Sequence, residues 1–259
     1  HIFGTKYRRF CGPSKSKFER YWNMSWFERT ELLLGAEKLK KLKTAKILIC
    51  GLGGVGGAAV EQLVRAGAEN ICIIDADVVN ESNINRQIIA TRENIGSFKT
   101  NEFSKRLKAI NPSVKIDSRQ VYLRDEVLEQ TLLEGWDFVV DAIDTLSPKI
   151  NLIRICYQNN IALVSSMGAG GKSDPTKIKI ADISKSHNCG LARMLRKRLH
   201  RFDIYEGIPV VFSEEKADKE AIIEEESTNK KSNAGTISYM PVIFGCMCAS
   251  VVIRRICEL

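Results

Sequence analysis

At 259 residues and 29.1 kDa, with 44% hydrophobic residues, the chain is that of a globular protein with apolar surface for one large domain or two small ones. A formal net charge of +8 and a pI near 9.0 favour an anionic partner without separating nucleotide from nucleic acid. Eight cysteines with no Cys-x-x-Cys pair argue against a zinc ribbon and a disulfide framework, and fit a reducing, cytoplasmic setting.

Residues 1 to 23 carry six basic side chains against one acid and no apolar stretch, so no signal peptide is predicted. Met24 opens "MSWFERTELLLG" like a natural start, and residues 1 to 23 are read as an extension outside the fold. "AKILICGLGGVGGAAVEQLVRAGAENICIID" then reads as strand, glycine turn, helix, strand, with Val60, Leu63 and Val64 on one helical face. The alternation continues. "TNEFSKRLKAINP" is helical and stopped by Asn111-Pro112, "SVKIDSRQVY" is extended, "RDEVLEQTLLEG" is helical and closed by Gly135, and "DFVVDAID" is a buried strand. A helix around "LSPKINLIRICYQNN" and a strand at "IALVSS" follow.

Strands and helices alternating at this spacing predict an α/β fold with a doubly wound, mostly parallel sheet over residues 24–166. Residues 167–259 read as an α+β extension of the same compact domain. In it "KIKIADI" and "IPVVFS" are strands flanking a basic helix, "EEKADKEAIIEEESTNKKSN" is a charge-rich mobile segment, and a buried apolar helix closes the chain. The apolar run 240–253 is shorter than a span of about 20 residues and ends in Arg254 and Arg255, so a membrane role is not expected; peripheral attachment through it stays open.

The chemistry starts at "GLGGVG". Gly51, Gly53 and Gly56, with Gly54 between them, match G-x-G-x-x-G between a strand and a helix, where the backbone can approach phosphates at the helix N-terminus. Asp75 ends the next strand, where a carboxylate can accept from ribose hydroxyls. Nicotinamide and adenine nucleotides both offer those, so Asp75 alone does not choose between them. "NINRQ" at 83–87 does: Arg86 can fork onto phosphate oxygens, Asn83 can donate an amide beside it, and Lys99 adds a cation at the next helix start. The plainer alternative is that such residues cap the following helix. Asp141 and Asp144 close a buried strand, where a carboxylate can hold Mg²⁺ against phosphates; for Asp144 the alternative is a helix cap, and for Asp141 a loop anchor.

Together "GLGGVG", "IIDADVVNESNINRQ", "IGSFKT" and "DAIDT" resemble the adenylating superfamily that includes ThiF, MoeB and the ubiquitin-activating enzymes, a Rossmann-like fold that transfers AMP from ATP to a carboxylate. The resemblance implies that Asp75 binds the ribose, that Asn83, Arg86 and Lys99 bind the phosphates, and that Asp144 holds magnesium. Arg29 in "FERTELLLG" matches an arginine that members donate across a dimer, so a homodimer is implied. From Trp26 onward, "SSMGAGGKSDPTKIKIADISKSHNCGLARMLRKRLHR", "GIPVVFSEE" and "GTISYMPVIFGCMCASVVIRRI" resemble the tRNA threonylcarbamoyladenosine dehydratase branch. That branch implies ATP-driven activation of the threonylcarbamoyl carboxylate beside the anticodon, followed by cyclisation. It also leaves room for a monovalent cation and, as some members have one, a cysteine-desulfurase partner.

"LARMLRKRLHR" sets Leu191, Leu195, Leu199 and Phe202 on one helical face and Arg193, Arg196, Lys197, His200 and Arg201 on the other, a phosphate-contacting stripe for tRNA or a solvated basic face. Cys189 in "HNCGLAR" lies in a polar, basic loop, where a thiolate could be stabilised, although the expected chemistry needs no thiol. Three other functions compete with the dehydratase. An activator of a ubiquitin-like sulfur carrier is disfavoured by the missing zinc cysteines, an oxidoreductase by "NINRQ" and Lys99, and a non-catalytic RNA scaffold predicts no ATP turnover.

Overall fold

Short apolar runs form the inner strands because both faces of the sheet are covered there, whereas the edge runs Lys115–Arg119 and Ile178–Asp182 are partly exposed and carry polar residues. The computed structural model describes residues 26–218, 220–224 and 232–259, and residues 1 to 25 lie outside that description. In chain order the elements are α1 (Glu28–Leu34), α2 (Ala36–Thr44), β1 (Lys46–Cys50), α3 (Gly54–Arg65), β2 (Asn70–Ile74), α4 (Lys99–Ile110), β3 (Lys115–Arg119) and α5 (Asp125–Leu132). They continue with β4 (Phe138–Asp141), α6 (Leu146–Gln158), β5 (Leu163–Ser166), β6 (Ile178–Asp182), α7 (Gly190–Leu199), β7 (Pro209–Ser213), β8 (Ile222–Glu224), β9 (Ser232–Ala234) and α8 (Tyr239–Ile256).

Seven strands make one sheet in the order β3-β2-β1-β4-β5-β7-β6, parallel except for β6, which runs antiparallel to β7. β1 is the pivot: Cys50 registers with Ile74 of β2 on one side and Asp141 of β4 on the other. From β1 the chain winds outward through β2 and β3, then returns to build β4 and β5 on the opposite side. The order therefore reverses between β1 and β4, and in such sheets the crevice in which ligands bind lies at the C-terminal ends of the strands at that reversal. This is the doubly wound α/β sheet expected from the sequence.

Two apolar layers hold the sheet. On one face Leu42, Leu63, Val64, Phe103, Leu107 and Phe244 pack on Ile47, Ile49, Ile71 and Val140; on the other, Leu128, Leu152, Ile153, Leu195 and Leu199 pack on Leu48, Ile74, Val139 and Phe212. Each such fully buried side chain contributes about 1.5–3 kcal/mol. α8 is long and apolar enough to cross a membrane by length and composition, yet Met240, Phe244, Cys248 and Val252 are buried in the first layer. Its Gly245 lets the backbone meet α3 so closely that a methyl group would overlap the Val55 carbonyl oxygen. The closing helix is thus the buried one that the sequence predicts.

The charge-rich segment differs from expectation. Ile222–Glu224 pairs antiparallel with Ser232–Ala234 as a two-stranded ribbon, so part of it is hydrogen-bonded strand; residues 219 and 225–231 of that segment lie outside the described residues. Cys50, Cys72, Cys156, Cys189, Cys246, Cys248 and Cys257 are free thiols, consistent with the absence of a disulfide framework among the described residues.

Candidate active site

The glycine loop bridges β1 and α3, and its glycines do different work. Gly51 has a φ of +91° and donates its N–H to the Ile74 carbonyl at 2.9 Å; a methyl there would sit 2.9 Å from the Ala142 oxygen. A methyl on Gly56 would overlap the Gly51 carbonyl oxygen, so the turn closes on itself. Gly54, the first residue of α3, must also be a glycine: its methyl position lies 2.7 Å from Pro241 Cβ and 2.9 Å from the Arg86 carbonyl, while its N–H is one of the leading amides of the helix. Only Gly53 faces open space, with Gln87 Nε2 as its nearest neighbour at 3.9 Å. Gly53 is the N-cap of α3, and neither a side-chain cap nor an acid in the first turn occupies the helix start. The leading amides of α3 and its positive dipole end are therefore presented to an anion.

Asp75 stands at the end of β2 with its side chain only 9% exposed. Its carboxylate accepts from the Leu52 N–H at 2.6 Å and the Asp77 N–H at 2.8 Å, which ties it to the glycine loop. Burial pushes the Asp75 carboxyl above its ordinary value, opposed by the Lys99 ammonium and these two amide bonds. Lys99, the first residue of α4, is buried; its Nζ lies 2.8 Å from Asp77 Oδ2 and 4.0 Å from Asp75 Oδ1. The predicted ribose acid and the predicted phosphate cation are thus brought together.

"NINRQ" forms the rim. Asn80 and Asn83 make a capping box around the short turn Glu81–Asn83, in which Asn83 Oδ1 accepts the Asn80 N–H at 3.1 Å. The capping alternative is therefore correct for the oxygen end of Asn83, and its amide nitrogen is the end with a proton to give a ligand. Arg86 is held by the Ser82 carbonyl at 2.7 Å and Asn85 Oδ1 at 2.9 Å, both from Nη1; among the described residues no carboxylate pairs with it. Gln87, given no role by sequence reasoning, is buried beside Gly53, and its Oε1 has no hydrogen-bond partner.

Behind the loop lies an ion pair that sequence reasoning missed. Asp141 and Lys149 are both fully buried and 2.8 Å apart. Asp141 also accepts from Ser165 Oγ at 2.6 Å and the Ile143 N–H at 3.2 Å, while Lys149 donates to the Ile143 carbonyl at 3.0 Å. Asp141 is thus a loop anchor, and the loop it anchors carries Asp144 out to the exposed rim of the crevice. The N-cap position of α6 is Thr145, one residue beyond Asp144, and its side chain makes no capping bond. A carboxylate suits Mg²⁺, which takes one or two protein carboxylates and otherwise phosphate and water oxygens. Among the described residues no cluster of three or more His, Cys, Asp or Glu could hold a metal by itself.

Arg29 lies apart from this cluster, exposed on α1, a helix with no buried residue and with Leu32 and Leu33 about four-fifths exposed. The basic stripe is partly corrected. Arg193 and Lys197 on α7 and Arg201 just beyond it are exposed, but Arg196 turns inward, its Nη1 donating to the Ser186 carbonyl at 2.7 Å and to Ser186 Oγ. Phe202, expected on the buried face, belongs to the turn His200–Phe202 and is exposed, because that turn rotates it off the α-helical spacing. Cys189 is buried at the N-cap of α7, which corrects the polar loop setting read for it.

The ThiF family profile matches residues 27–259. The chain is 40% identical over 189 residues to the tRNA threonylcarbamoyladenosine dehydratase of Bacillus subtilis, covering 73% of this chain and 74% of that one. It is 35% identical to the tRNA threonylcarbamoyladenosine dehydratase 2 of Saccharomyces cerevisiae over 80% of this chain, and spans 48% of that longer relative. The crystal structure of E. coli TcdA, a tRNA N6-threonylcarbamoyladenosine dehydratase in complex with ATP, superposes with a TM-score of 0.83 at 33% identity, over 90% of this chain and 93% of that one; that enzyme has also been solved with AMP. A nucleotide crevice of this build, matched over nearly its whole length, places the chain in the ThiF family, within the branch of the tRNA threonylcarbamoyladenosine dehydratases.

Proposed function

We propose that this protein uses ATP to activate the carboxylate of the threonylcarbamoyl group on tRNA adenosine, and that the activated side chain then cyclises with net loss of water. The observation that carries the reading is the charge arrangement of the crevice. Arg86 has no carboxylate partner among the described residues, and it stands on the rim of the same crevice as the buried Lys99 and the uncapped start of α3. A hydride-transfer site has no use for such a clamp, whereas a departing pyrophosphate needs one.

In the first step a carboxylate oxygen attacks the α-phosphorus of ATP. The bond from that phosphorus to the β-phosphate oxygen breaks, and pyrophosphate leaves. Arg86 and Lys99 stabilise the charge that accumulates on it, the amide of Asn83 adds a donor, and Asp75 fixes the ribose with its remaining lone pairs. Mg²⁺, held at Asp144, would neutralise neighbouring phosphate oxygens. In the second step the carbamoyl group of the same side chain attacks the acyl carbon, loses its proton, and expels AMP carrying one former carboxylate oxygen. Both groups sit on one molecule, so proximity takes the place of a catalytic thiol.

The active unit in this reading is a homodimer in which Arg29 of one subunit reaches the triphosphate of the other, an assignment supported by the exposure of Arg29, Leu32 and Leu33 on α1. Arg193, Lys197 and Arg201 position tRNA through its phosphates. ATP and tRNA meet in the cytoplasm, where the reaction is assigned. Mass spectrometry of nucleosides from tRNA carrying threonylcarbamoyladenosine, after incubation with protein, ATP and Mg²⁺, is the test. Loss of one water from that nucleoside, only with ATP, is expected. An unchanged nucleoside, with AMP formed only when a ubiquitin-like carrier is added, would move the assignment to carrier activation.

A further inference from the structure

The end of α7 carries a feature that the adenylation chemistry does not use. After Leu199 the chain makes the turn His200–Phe202, passes through Asp203 at φ +57°, and reaches Tyr205. Leu199, Ile204 and Ile208 anchor this stretch in the core, yet Phe202 is 44% and Tyr205 54% exposed. The Arg154 guanidinium of α6 lies 5.3 Å from the Phe202 ring centre, and the His200 ring lies 4.8 Å from that of Tyr205. Two exposed aromatic rings are thus held on buried anchors, each beside a polar or cationic side chain, rather than being turned inward.

The electrostatics around them point to one class of ligand. Lys197, Arg198 and Arg201 have no ion pair among the described residues, whereas Arg106 and Arg119 elsewhere are neutralised by Glu61 and by Asp117 with Glu134. Asp203 and Glu206 are the nearby acids; the Tyr205 hydroxyl donates to Asp203 Oδ1 at 3.4 Å. Exposed rings beside unneutralised arginines suit bases stacked above a polyanionic backbone.

Topology connects this patch to the crevice. α7 starts at Cys189, whose Sγ lies 3.8 Å from the methyl position of Gly168, just beyond the C-terminal end of β5. It ends beside the start of β7, which is parallel to β5, so the helix runs from the end of the sheet that carries the nucleotide loop to the other, and the aromatic patch lies at the N-terminal ends of the strands. Ten helical residues span about 15 Å, enough for roughly four successive phosphates at the per-strand rise of duplex DNA.

We infer that the turn after α7 is a second RNA contact, a platform on which Phe202 and Tyr205 stack an unpaired base of an RNA whose phosphates follow the exposed face of α7. The inference rests on the tRNA reading above and adds a site to it. The test is filter binding of purified tRNA to the full-length protein and to Phe202→Ala, Tyr205→Ala and Phe202→Trp variants, over a salt series, with ATP binding measured in parallel. Both alanine variants are expected to weaken tRNA binding by roughly 5- to 150-fold, the loss that follows removal of one stacked base. The salt slope is expected to stay unchanged, since no charge is removed; Phe202→Trp should bind as the parent does, and ATP binding should not move. Parent-like tRNA binding by both alanine variants overturns the platform alone. A shift of oligomeric state in those variants with tRNA affinity intact overturns it in favour of a contact between copies of this chain. Failure of the parent protein itself to bind tRNA overturns the functional reading and the platform together.

Discussion

Replacing Lys149 with methionine isolates the device that aims the Asp144 loop. Lys149 and Asp141 are both fully buried, and methionine keeps the length and most of the volume of the lysine stem while removing its charge. In the variant Asp141 retains its bonds from Ser165 Oγ and the Ile143 N–H, but its negative charge is left uncompensated in the interior, and the Ile143 carbonyl loses its donor. Breaking a buried pair in this way costs about 3–5 kcal/mol, a large share of the roughly 5–15 kcal/mol that stabilises a domain. At about 2–4 °C per kcal/mol for a chain of this size, the melting temperature should fall by roughly 6–20 °C. Urea denaturation should show the same loss in midpoint without a change in slope. Because the penalty belongs to the orphaned charge, the double variant Lys149→Met, Asp141→Asn should recover most of it. A single variant that loses under about 1 kcal/mol, or a double variant no better than the single, would refute the reasoning.

Three further outcomes follow from the crevice and the core. Gly56→Ala, whose methyl overlaps the Gly51 carbonyl, should fail to fold normally, whereas Gly53→Ala should keep the parent's circular dichroism and melting profile and lose ATP affinity in a nucleotide-binding titration. Arg86→Ala should lower ATP turnover by about 100- to 1000-fold in a pyrophosphate-release assay, the scale of losing one transition-state charge contact, with tRNA binding retained. Burial pushes Cys72, Cys156 and Cys248 up to about 12, aided for Cys72 by Asp117 and for Cys156 and Cys248 by Asp141. The unfolded chain then loses those thiol protons first, from about pH 8.5, so stability should fall with rising pH between there and about 12. The slope should approach about 1.4 kcal/mol per pH unit for each thiol, and urea midpoints at pH 7.5 and 9.5 should show it shrinking in a Cys72→Ala variant.

The sequence carried the fold well because the signals are local. Strand runs such as "KILIC", stops such as Asn111-Pro112 and Gly135, and the glycine loop each fix backbone geometry within a few residues. What it could not carry depends on contacts far along the chain. The antiparallel direction of β6 is set by its pairing with β7, and the inward turn of Arg196 by carbonyls ten and thirteen residues earlier. The pattern shows Gly54 as a glycine of the loop but does not say that Pro241, from the far end of the chain, lies against it. Lys149 was legible in hindsight: on α6 it shares the inner face with Leu152, Ile153 and Cys156, and a lysine on such a face needs a buried acid. The site residues lay within reach of sequence because Asp75, Asn83, Arg86 and Lys99 fall in one stretch between β2 and α4, whereas their geometry came from amide bonds such as those that Leu52 and Asp77 give to Asp75.

Whether ATP activates the carboxylate of the nucleoside is decided by following its oxygen. The measurement is mass spectrometry of the AMP released when the protein acts on tRNA whose threonylcarbamoyl carboxylate carries ¹⁸O in both oxygens. Attack of that carboxylate on the α-phosphorus requires one labelled oxygen to leave with AMP in step with loss of water from the nucleoside. AMP that stays unlabelled while the nucleoside is converted would contradict the mechanism, because the oxygen would then have left by a route that never touched the nucleotide.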